Sequence, residues 1–423
     1  MNIAHIQGIF SPEHGGPARS LANYCRSQAA AGHRVGIWAL EGFPHTSAAI
    51  RLPPPVEMHV FPVDKPARLG GSTLMRSQLA QALPADIYHL HGAWLRAMHY
   101  GAVEAARRKR PYVLELMGMY EPWALRQKWL QKQMARWWFQ DRILREAACL
   151  HVNSNQEAEF IRKLGFKAPI AVIPVGVDVP DLSVAQSAER KAVSGQSSVV
   201  SRPLPSPNSH LQVPIGLAGR PFILYLSRIH PKKGLDLLIR AWSKEQSGKG
   251  SAPGATPSAL RASENWLLVI AGTGSPEYVS ECRQLAERLG VAKQCLWAGH
   301  VDEAQKSWLF GHTQCYVLPT SSENFGNVVA EALAHGTPVI TTLHTPWTDL
   351  PKHHCGWIVD NTEAELCRAL NEAMKLNAAD RQEMGKNGAK LVREHYSLEL
   401  VCRNIQAVYE WVLGGGSKPG CVV

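Results

Sequence analysis

The stretch that decides the fold is SSENFGNVVAEALAHGTPVI, residues 321–340. Apolar residues recur in it at the spacing of one helix face: Val328, Val329, Ala332 and Leu333. Gly336 and Pro338 are typical of a helix end. The apolar runs at 315–319 and 338–342 predict short buried strands before and after the helix. A strand, a loop, a helix and a second strand in this order predict the repeating unit of a parallel α/β sheet.

The loop before this helix and the first two helical turns carry the candidate binding residues. A helix start offers free backbone N–H groups and the positive end of a dipole, so it suits an anion such as a diphosphate. Gly326 lets a ligand approach the backbone closely. Glu323 lies before the helix and Glu331 two turns inside it, and a carboxylate can accept two hydrogen bonds from a diol. Phosphates flanked by polyols indicate a nucleotide sugar.

The Glu-x(7)-Glu pattern from Glu323 to Glu331, followed by Gly-Thr-Pro-Val-Ile, resembles the family-4 (group 1) glycosyltransferases. These are retaining enzymes of the GT-B fold. The resemblance implies an α/β protein of two doubly wound Rossmann-like domains with an interdomain cleft. It also implies that Glu331 holds the ribose diol, that Glu323 holds the donor sugar, and that the backbone amides of Phe325, Gly326 and Asn327 cap the phosphate or sugar. Two glutamates on a solvated helix face are the alternative, which the surrounding residues disfavour.

Length and composition agree with two domains. A chain of 423 residues exceeds one ordinary core. Its net charge of +10 is compatible with nucleic acid, an anionic membrane surface or a phosphorylated ligand. The nine cysteines include no Cys-x-x-Cys, so they suggest neither a zinc site nor a disulfide framework, and a reducing cytoplasm is expected. We expect no signal peptide and no membrane span.

We expect the domains to divide the chain as follows. Residues 1–178 form the N-terminal, acceptor-side Rossmann-like domain, and a C-terminal helix at about 398–413 crosses back to it. Residues 220–397 form the nucleotide-sugar-binding domain. Residues 179–219, rich in Ser and Pro, are a flexible linker, with a second insert at 246–264. The tail, 414–423, is expected to be disordered.

Two cations follow the first strand of the second domain. Arg228 and Lys233 lie five residues apart across a loop, where they could neutralise a diphosphate leaving group. The resemblance assigns an Arg and a Lys to that task, whereas Lys232 is expected to be a solvated neighbour. A surface charge pair is the alternative. By resemblance, Gly272 lies in a turn beside the nucleotide and His300 contacts the base.

The N-terminal half contributes fewer candidates. By resemblance, Gly15 and Gly16 face the cleft near the donor sugar and acceptor, although tight packing also explains such a pair. His91 ends a predicted strand at 85–91; core and cleft-facing positions are about equally compatible with the sequence, and its place at the strand's carboxyl end favours the cleft and a catalytic role. His89 is expected in the core. Met117 stands where family members commonly carry His or Arg, and Met cannot donate a hydrogen bond or act as a base.

Residues 123–145 predict one long helix with a basic side and aromatic side chains. An interfacial helix at a membrane would have this composition, and so would a packed helix with a solvated basic side. The packed alternative is favoured, and nucleic acid is not expected because no binding motif accompanies the charge.

The sequence therefore predicts transfer of a sugar from a nucleotide-sugar donor to a glycan or lipid-linked acceptor hydroxyl, with retention implied by the resemblance. No cofactor or metal is expected, because Arg228 and Lys233 are available and no suitable Asp-x-Asp occurs. The expected location is the cytoplasm or the inner face of the membrane, in surface-polysaccharide or lipid-linked glycan synthesis. A sugar-nucleotide epimerase of the same fold and a catalytically silent binding homologue are alternatives, and Met117 favours the latter. The nucleotide base, sugar and acceptor stay open.

Overall fold

The computed structural model describes residues 1–180, 220–246 and 266–423. Nearly all of the predicted linker and of the second insert lies outside the described residues. The chain divides into two compact units, an N-terminal unit of residues 1–176 and 396–423 and a C-terminal unit of residues 177–395.

Both units consist of strands and helices that alternate along the chain. The strands are β1 (Asn2–Ile9), β2 (Arg34–Glu41), β3 (Glu57–Pro62), β4 (Ile87–His91), β5 (Tyr112–Glu115), β6 (Cys149–Val152), β7 (Ile170–Val172), β8 (Phe222–Leu226), β9 (Leu267–Ala271), β10 (Cys295–Gly299), β11 (Cys315–Leu318), β12 (Val339–Thr342) and β13 (Gly356–Val359). The α-helices are α1 (Gly16–Ala30), α2 (Thr73–Gln81), α3 (Arg96–Arg107), α4 (Pro122–Arg126), α5 (Trp129–Ala135), α6 (Asp141–Glu146), α7 (Asn155–Lys163), α8 (Leu235–Gln246), α9 (Pro276–Arg288), α10 (Glu303–His312), α11 (Asn327–Ala334), α12 (Glu363–Lys375), α13 (Ala378–His395) and α14 (Leu398–Val412).

Each unit has one parallel sheet. The strand order is β3-β2-β1-β4-β5-β6-β7 in the N-terminal unit and β10-β9-β8-β11-β12-β13 in the C-terminal unit. The pairing is parallel throughout both sheets. The strand order reverses beside β1 and β4 in one sheet and beside β8 and β11 in the other, so both units are doubly wound. The predicted class of two parallel α/β domains is confirmed.

The helix α14 belongs to the N-terminal unit. Its apolar face, which includes Val401, Ile405 and Tyr409, packs in a core cluster with Ile3 of β1 and Ile87 of β4. This packing explains why the chain, after completing the C-terminal unit, ends in the first one.

The expectation of a disordered tail is wrong. Val423 N–H donates to Ile170 O at 2.8 Å, and Val172 N–H donates to Cys421 O at 2.8 Å. Val422 is buried and forms an antiparallel bridge with Ala171. The reason is that β7 is an edge strand whose outer backbone groups need partners, and the tail supplies them.

The single long helix expected at 123–145 is also wrong. The segment contains α4, α5 and α6, with five residues in π-helical geometry, Arg136–Gln140, between the last two. Lys128, between α4 and α5, has a φ of 51°, which a continuous right-handed helix does not allow.

Helix α13 packs so closely on the end of α11 that only glycine fits at position 385. A Cβ at Gly385 would lie 2.1 Å from Gly336 O, whereas a Cβ at Gly311 in α10 would meet nothing within 4 Å. We predict that Gly385→Ala lowers the free energy of unfolding by ~1–3 kcal/mol, since backbone must move. The matched Gly311→Ala should raise it by up to about 1 kcal/mol through helix propensity. Thermal unfolding measures both, and an unchanged melting temperature for Gly385→Ala would contradict the packing.

Candidate functional site

The predicted donor-binding residues gather where the strand order of the C-terminal sheet reverses. The neighbouring strands β8 and β11 end at the same edge of the sheet. The loop at 227–234 follows β8, and the loop at 319–326 follows β11. In open α/β sheets, ligands bind outside the carboxyl ends of strands at such a reversal.

Hydrogen bonds to one carbonyl hold these two loops together. Lys232 O accepts from Ser321 N–H at 2.9 Å, from Thr320 Oγ1 at 3.1 Å and from Ser321 Oγ at 3.2 Å. Gly234 has a φ of 68°, and a Cβ there would lie 2.1 Å from Pro319 O. Only glycine therefore allows this approach, and the position of Lys233 relative to the second loop is fixed on both sides.

Lys233 and Glu323 form an ion pair across these loops. Lys233 Nζ donates to Glu323 Oε2, and both side chains are mostly buried. Glu323 is fixed at its backbone as well, because its N–H donates to His344 O at 3.0 Å. The structure thus joins the cation predicted to bind a diphosphate to the carboxylate predicted to hold the sugar.

Arg228 lies on the same loop as Lys233, and its side chain is exposed. Burial lowers the pKa of His230, and the charges of Arg228, Lys232 and Lys233 lower it further. The imidazole thus experiences a local excess of positive charge. Such a loop is suited to bind an anion.

Glu331 pairs with a residue that the sequence analysis missed. Lys306 Nζ in α10 lies 2.9 Å from Glu331 Oε2 and 3.2 Å from Glu303 Oε2. Lys306 is nearly buried, since only 10% of its side chain is exposed. A single lysine in an amphipathic helix gives no signal of this role. Its importance follows from the packing of α10 beside α11, which the sequence does not specify.

A hydrogen bond from a tryptophan fixes the residues before α11. Trp347 Nε1–H donates to Phe325 O at 2.5 Å, and both residues are buried. Gly326 caps the helix with a φ of 80° and a ψ of 60°, a left-handed conformation that favours glycine. Asn327 is the first helical residue. Phe325, Gly326 and Asn327 therefore lie at the helix start as predicted, and Trp347 was missed as their support.

Gly272 and His300 lie on the neighbouring strands. Gly272 follows β9 with a φ of 126°, and a Cβ there would lie 1.9 Å from Ser227 O. Its N–H donates to Gly299 O at 2.6 Å. The glycine thus permits close packing of the ends of β8, β9 and β10. His300 is exposed after β10, which is the edge strand. No contact joins His300 to the Lys233–Glu323 pair among the hydrogen bonds and ion pairs of the described residues.

Gly15 and Gly16 open α1 in the N-terminal unit. Gly15 caps the helix with a φ of 65°, and its N–H donates to Pro12 O at 3.0 Å. A Cβ there would meet nothing within 4 Å, so conformation and not crowding favours glycine. The space around this backbone is compatible with the predicted approach of a ligand.

The expectation that His91 faces a cleft is wrong. Its side chain is fully buried; Nδ1 lies 2.6 Å from Glu115 Oε2, and Nε2 lies 2.8 Å from His5 Nδ1. Burial lowers the pKa of His91 to about 3. The reason is that β4 is central in its sheet and the neighbouring strands place polar partners on the same face. His89 is buried as expected.

Met117 lies in a strained turn after β5. Its φ is 52°, and the N–H of the next residue, Gly118, donates to the Glu157 carboxylate. Glu157 is fully buried, and burial raises its pKa to about 8. The other carboxylate oxygen accepts from Asn153 N–H at 2.9 Å. Glu157 positions the turn that presents Met117, and the sequence analysis missed it because it lies in an ordinary helix start.

Two family models match the chain. The model described as "Glycosyl transferase 4-like domain" matches residues 15–176, and the model described as "Glycosyl transferases group 1" matches residues 213–391. These ranges contain the predicted binding residues of both units.

Individual relatives are similar at low identity. The "Alpha-1,3/1,6-mannosyltransferase ALG2" of Dictyostelium discoideum is 25% identical over 207 residues, which are 46% of this chain and 47% of that protein. The "Lipopolysaccharide core biosynthesis mannosyltransferase LpcC" of Rhizobium leguminosarum bv. viciae is 27% identical over 206 residues, 47% of this chain and 53% of that protein. The chain spans about half the length of the curated relatives that it matches.

A solved structure extends the similarity to nearly the whole chain. The crystal structure of HepE from Anabaena, in complex with UDP and glucose, has a TM-score of 0.70 and covers 97% of this chain and 100% of its own, at 17% identity. At this identity the likeness shows the fold alone. The fold predicted from the sequence, that of the GT-B glycosyltransferases, is confirmed.

The hydrogen bond that fixes the loop before α11 can be tested by substituting two tryptophans in turn. We predict that Trp347→Phe destabilises the protein by ~1–3 kcal/mol, because Phe325 O loses the buried hydrogen bond from the indole N–H. Trp357 is the control, since its Nε1–H donates to the exposed Glu372 at 2.9 Å. Trp357→Phe removes the same atoms and should change stability by less than about 0.5 kcal/mol. Equal shifts of the melting temperature in the two variants would argue against the buried hydrogen bond.

Proposed function

We propose that this chain, which matches a "Glycosyl transferase 4-like domain" model at 15–176 and a "Glycosyl transferases group 1" model at 213–391, transfers a sugar from a nucleotide-sugar donor to an acceptor hydroxyl with retention at the anomeric carbon. The observation that carries the proposal is the Lys233–Glu323 ion pair at the reversal of the C-terminal sheet. It puts a cation suited to a diphosphate beside a carboxylate suited to sugar hydroxyls.

We expect donor binding to break the ion pair and to give Lys233 and Glu323 new partners. A diphosphate brings two or more negative charges, so Lys233 and the exposed Arg228 turn to it and stabilise the charge that develops as the diphosphate leaves. Glu323 then loses its cation and accepts hydrogen bonds from the donor sugar. Two cationic side chains already supply charge stabilisation, so we expect no metal ion to be required there.

The proposed ribose contact involves a second pair. Glu331 accepts from the ribose diol while Lys306, at 2.9 Å, holds its carboxylate in place. A carboxylate can bind a lysine and a hydroxyl at once, because it offers about four acceptor sites. Lys306 is therefore a positioning residue in this proposal, since it acts through Glu331.

The proposed donor and setting follow from the relatives. Two relatives are named mannosyltransferases, and HepE was crystallised with UDP, so GDP-mannose and UDP-hexoses are the donors to test first. Lipid-linked glycan or surface-polysaccharide synthesis in the cytoplasm or at the inner face of the membrane is the proposed setting. A catalytically silent homologue is the alternative that Met117 supports. It would bind the nucleotide without turnover.

Substitution of the two paired residues tests the assignment. We predict that Lys233→Ala and Glu331→Ala each lower donor turnover by about 100-fold or more, since each removes a charged contact to the donor. Turnover is measured as release of UDP or GDP from a panel of donors, including slow transfer to water. Lys232→Ala is the matched control and should stay near the wild-type rate, because the substitution keeps the backbone carbonyl of Lys232 that holds the two loops together.

Folding and binding are checked in the same proteins. Thermal unfolding with UDP, GDP or ADP reports binding, because a ligand that binds only the folded state raises the melting temperature. Near-normal rates in both alanine variants would end the assignment. Wild-type protein that binds a nucleotide and releases none from any donor would support the silent homologue instead.

A peripheral membrane contact is proposed for the segment from α4 to α6. The favoured expectation of a packed aromatic side is wrong for several of its side chains, because Trp137 is 91% exposed and Trp138 is 60% exposed. Further exposed apolar residues of the segment are Trp123, Trp129, Leu130 and Met134. Exposed Arg126, Lys128 and Arg145 accompany them.

This composition fits an anionic lipid surface. Tryptophan rings insert at the level of the lipid head groups, and basic side chains are attracted to anionic ones. No helix among the described residues is both long and apolar enough to cross a membrane. The segment would therefore lie on the bilayer without spanning it, close to a lipid-linked acceptor.

Vesicle binding tests the contact. We predict that the protein co-sediments with vesicles containing phosphatidylglycerol more than with pure phosphatidylcholine, and less at high salt. Trp137→Ser with Trp138→Ser should weaken binding by at least about tenfold, since two inserted rings are lost. Leu83→Ser is the control, because Leu83 is 72% exposed outside this segment. Unchanged binding of the double variant would refute the contact.

A further inference from the structure

The sheet of the N-terminal unit contains a cluster of ionisable side chains that the proposed reaction does not use. The parallel register places His5 beside His89, and Glu115 beside both His91 and His151. All five lie on one face of the adjoining strands β1, β4, β5 and β6 and are buried. Buried polar groups are normally hydrogen-bonded, so the nitrogens of these four imidazoles and the oxygens of the carboxyl should each have a partner.

Part of the cluster forms a complete hydrogen-bonded chain. His5 Nε2 lies 2.7 Å from Gln28 Oε1, His5 Nδ1 lies 2.8 Å from His91 Nε2, and His91 Nδ1 lies 2.6 Å from Glu115 Oε2. Both ring nitrogens of His5 and of His91 are thereby engaged. These two histidines need no further ligand.

The remaining atoms of the cluster do not form a complete hydrogen-bonded chain. His89 Nε2 and His151 Nδ1 are 3.5 Å apart. Two imidazole nitrogens that bind one zinc ion at about 2.0–2.1 Å in tetrahedral geometry lie about 3.3–3.4 Å apart. One ligand atom each from His89, Glu115 and His151 lie within 4.8 Å of one another.

The outer nitrogens of both histidines already have partners. His151 Nε2 lies 2.9 Å from Ile173 O, so it must donate its proton there, and Nδ1 carries the lone pair. His89 Nδ1 lies 2.6 Å from Tyr409 Oη, which can accept its proton and leave a lone pair on Nε2. A partner on the outer nitrogen is what orients a metal-binding histidine.

Glu115 supplies the independent observation. Its Oε1 is buried and has no hydrogen-bond partner among the described residues. Protonation does not help, since a proton on Oε2 would be donated to His91 and leave Oε1 a bare acceptor. A buried acceptor without a donor costs ~1–3 kcal/mol, and more if it is charged, so a cation at this oxygen would remove a penalty.

We propose that His89 Nε2, His151 Nδ1 and Glu115 Oε1 form a binding site for a divalent transition-metal ion, for which Zn²⁺ is the best match. Two imidazoles and a carboxylate are a known zinc ligand set, and they leave a fourth position for water. The site fastens β4, β5 and β6 to one another in the core. Its role is structural, because no ligand side chain reaches the surface, and it is independent of the proposed transferase activity.

Zinc loading of the full chain tests the site. Because the ligands are buried, the ion enters during folding, so the protein is produced without a histidine tag in zinc-supplemented medium. After gel filtration against a weak chelator, we expect about one zinc ion per chain by elemental analysis, since metal binding is coupled to folding. Unfolding and refolding in the presence of a strong chelator, which removes the ion, should lower the melting temperature.

Variants locate the ion. Glu115→Gln keeps a side chain for His91 but removes the anionic ligand, and His151→Gln removes a nitrogen ligand; both should lose the zinc. His59→Gln, at a half-buried histidine of β3, should retain it and controls for binding at other histidines. Zinc-free wild-type protein after loading would overturn the proposal. So would zinc retained in Glu115→Gln, because the ion would then lie elsewhere.

Variants that fold poorly can be tested by comparing their melting temperatures after refolding. Zinc present during refolding should raise the melting temperature of the wild type and of His59→Gln but not of Glu115→Gln. His5→Gln distinguishes the proposed site from the neighbouring candidate ligand group of His5, His89 and His91. We expect this variant to keep its zinc; loss there, with retention in Glu115→Gln, would place the ion in that group and reject the one proposed.

Discussion

The ion pair of Lys233 with Glu323 is the interaction on which the rest of the site depends. It exists because two parallel strands, β8 and β11, lie side by side and end at the same edge, and because the carbonyl of Lys232 ties their loops together. The pair is mostly buried, so removal of either partner leaves a poorly solvated charge. That cost explains why such a pair suits a ligand that brings its own anions and hydroxyls.

A buried ion pair adds little net stability, since desolvation offsets the attraction. Its value here lies in position. Lys233 and Lys306 each hold a carboxylate in a defined place before any ligand arrives, so less ordering remains to be done on binding. The two pairs lie at the start and along the flank of the same helix, α11, as the proposed contacts to the donor sugar and the ribose require.

The local elements of this architecture could be predicted from the sequence, but several contacts between them could not. Apolar runs, glycines and a proline gave β11, α11 and β12, because short-range periodicity determines such elements. Lys306 and Trp347 were missed because their partners are remote in sequence. His91 was placed wrongly because the rule for strand ends does not say which face of a central strand is buried. The tail was misjudged because its partner, the edge of β7, is a tertiary feature.

The two units use the same kind of sheet in opposite ways. In the C-terminal unit Arg228, Lys233 and Glu323 lie in the loops beyond the strand ends, where the proposed donor would displace their partners. In the N-terminal unit His89, Glu115 and His151 lie within the strands, where solvent cannot reach them. Burial lowers the pKa of His151 and raises that of Glu115, so without a further ion both side chains are held towards their neutral forms. Apolar residues would pack at lower cost in this core, and buried polar groups can offset that cost through specificity of register or, as proposed above, through a bound ion.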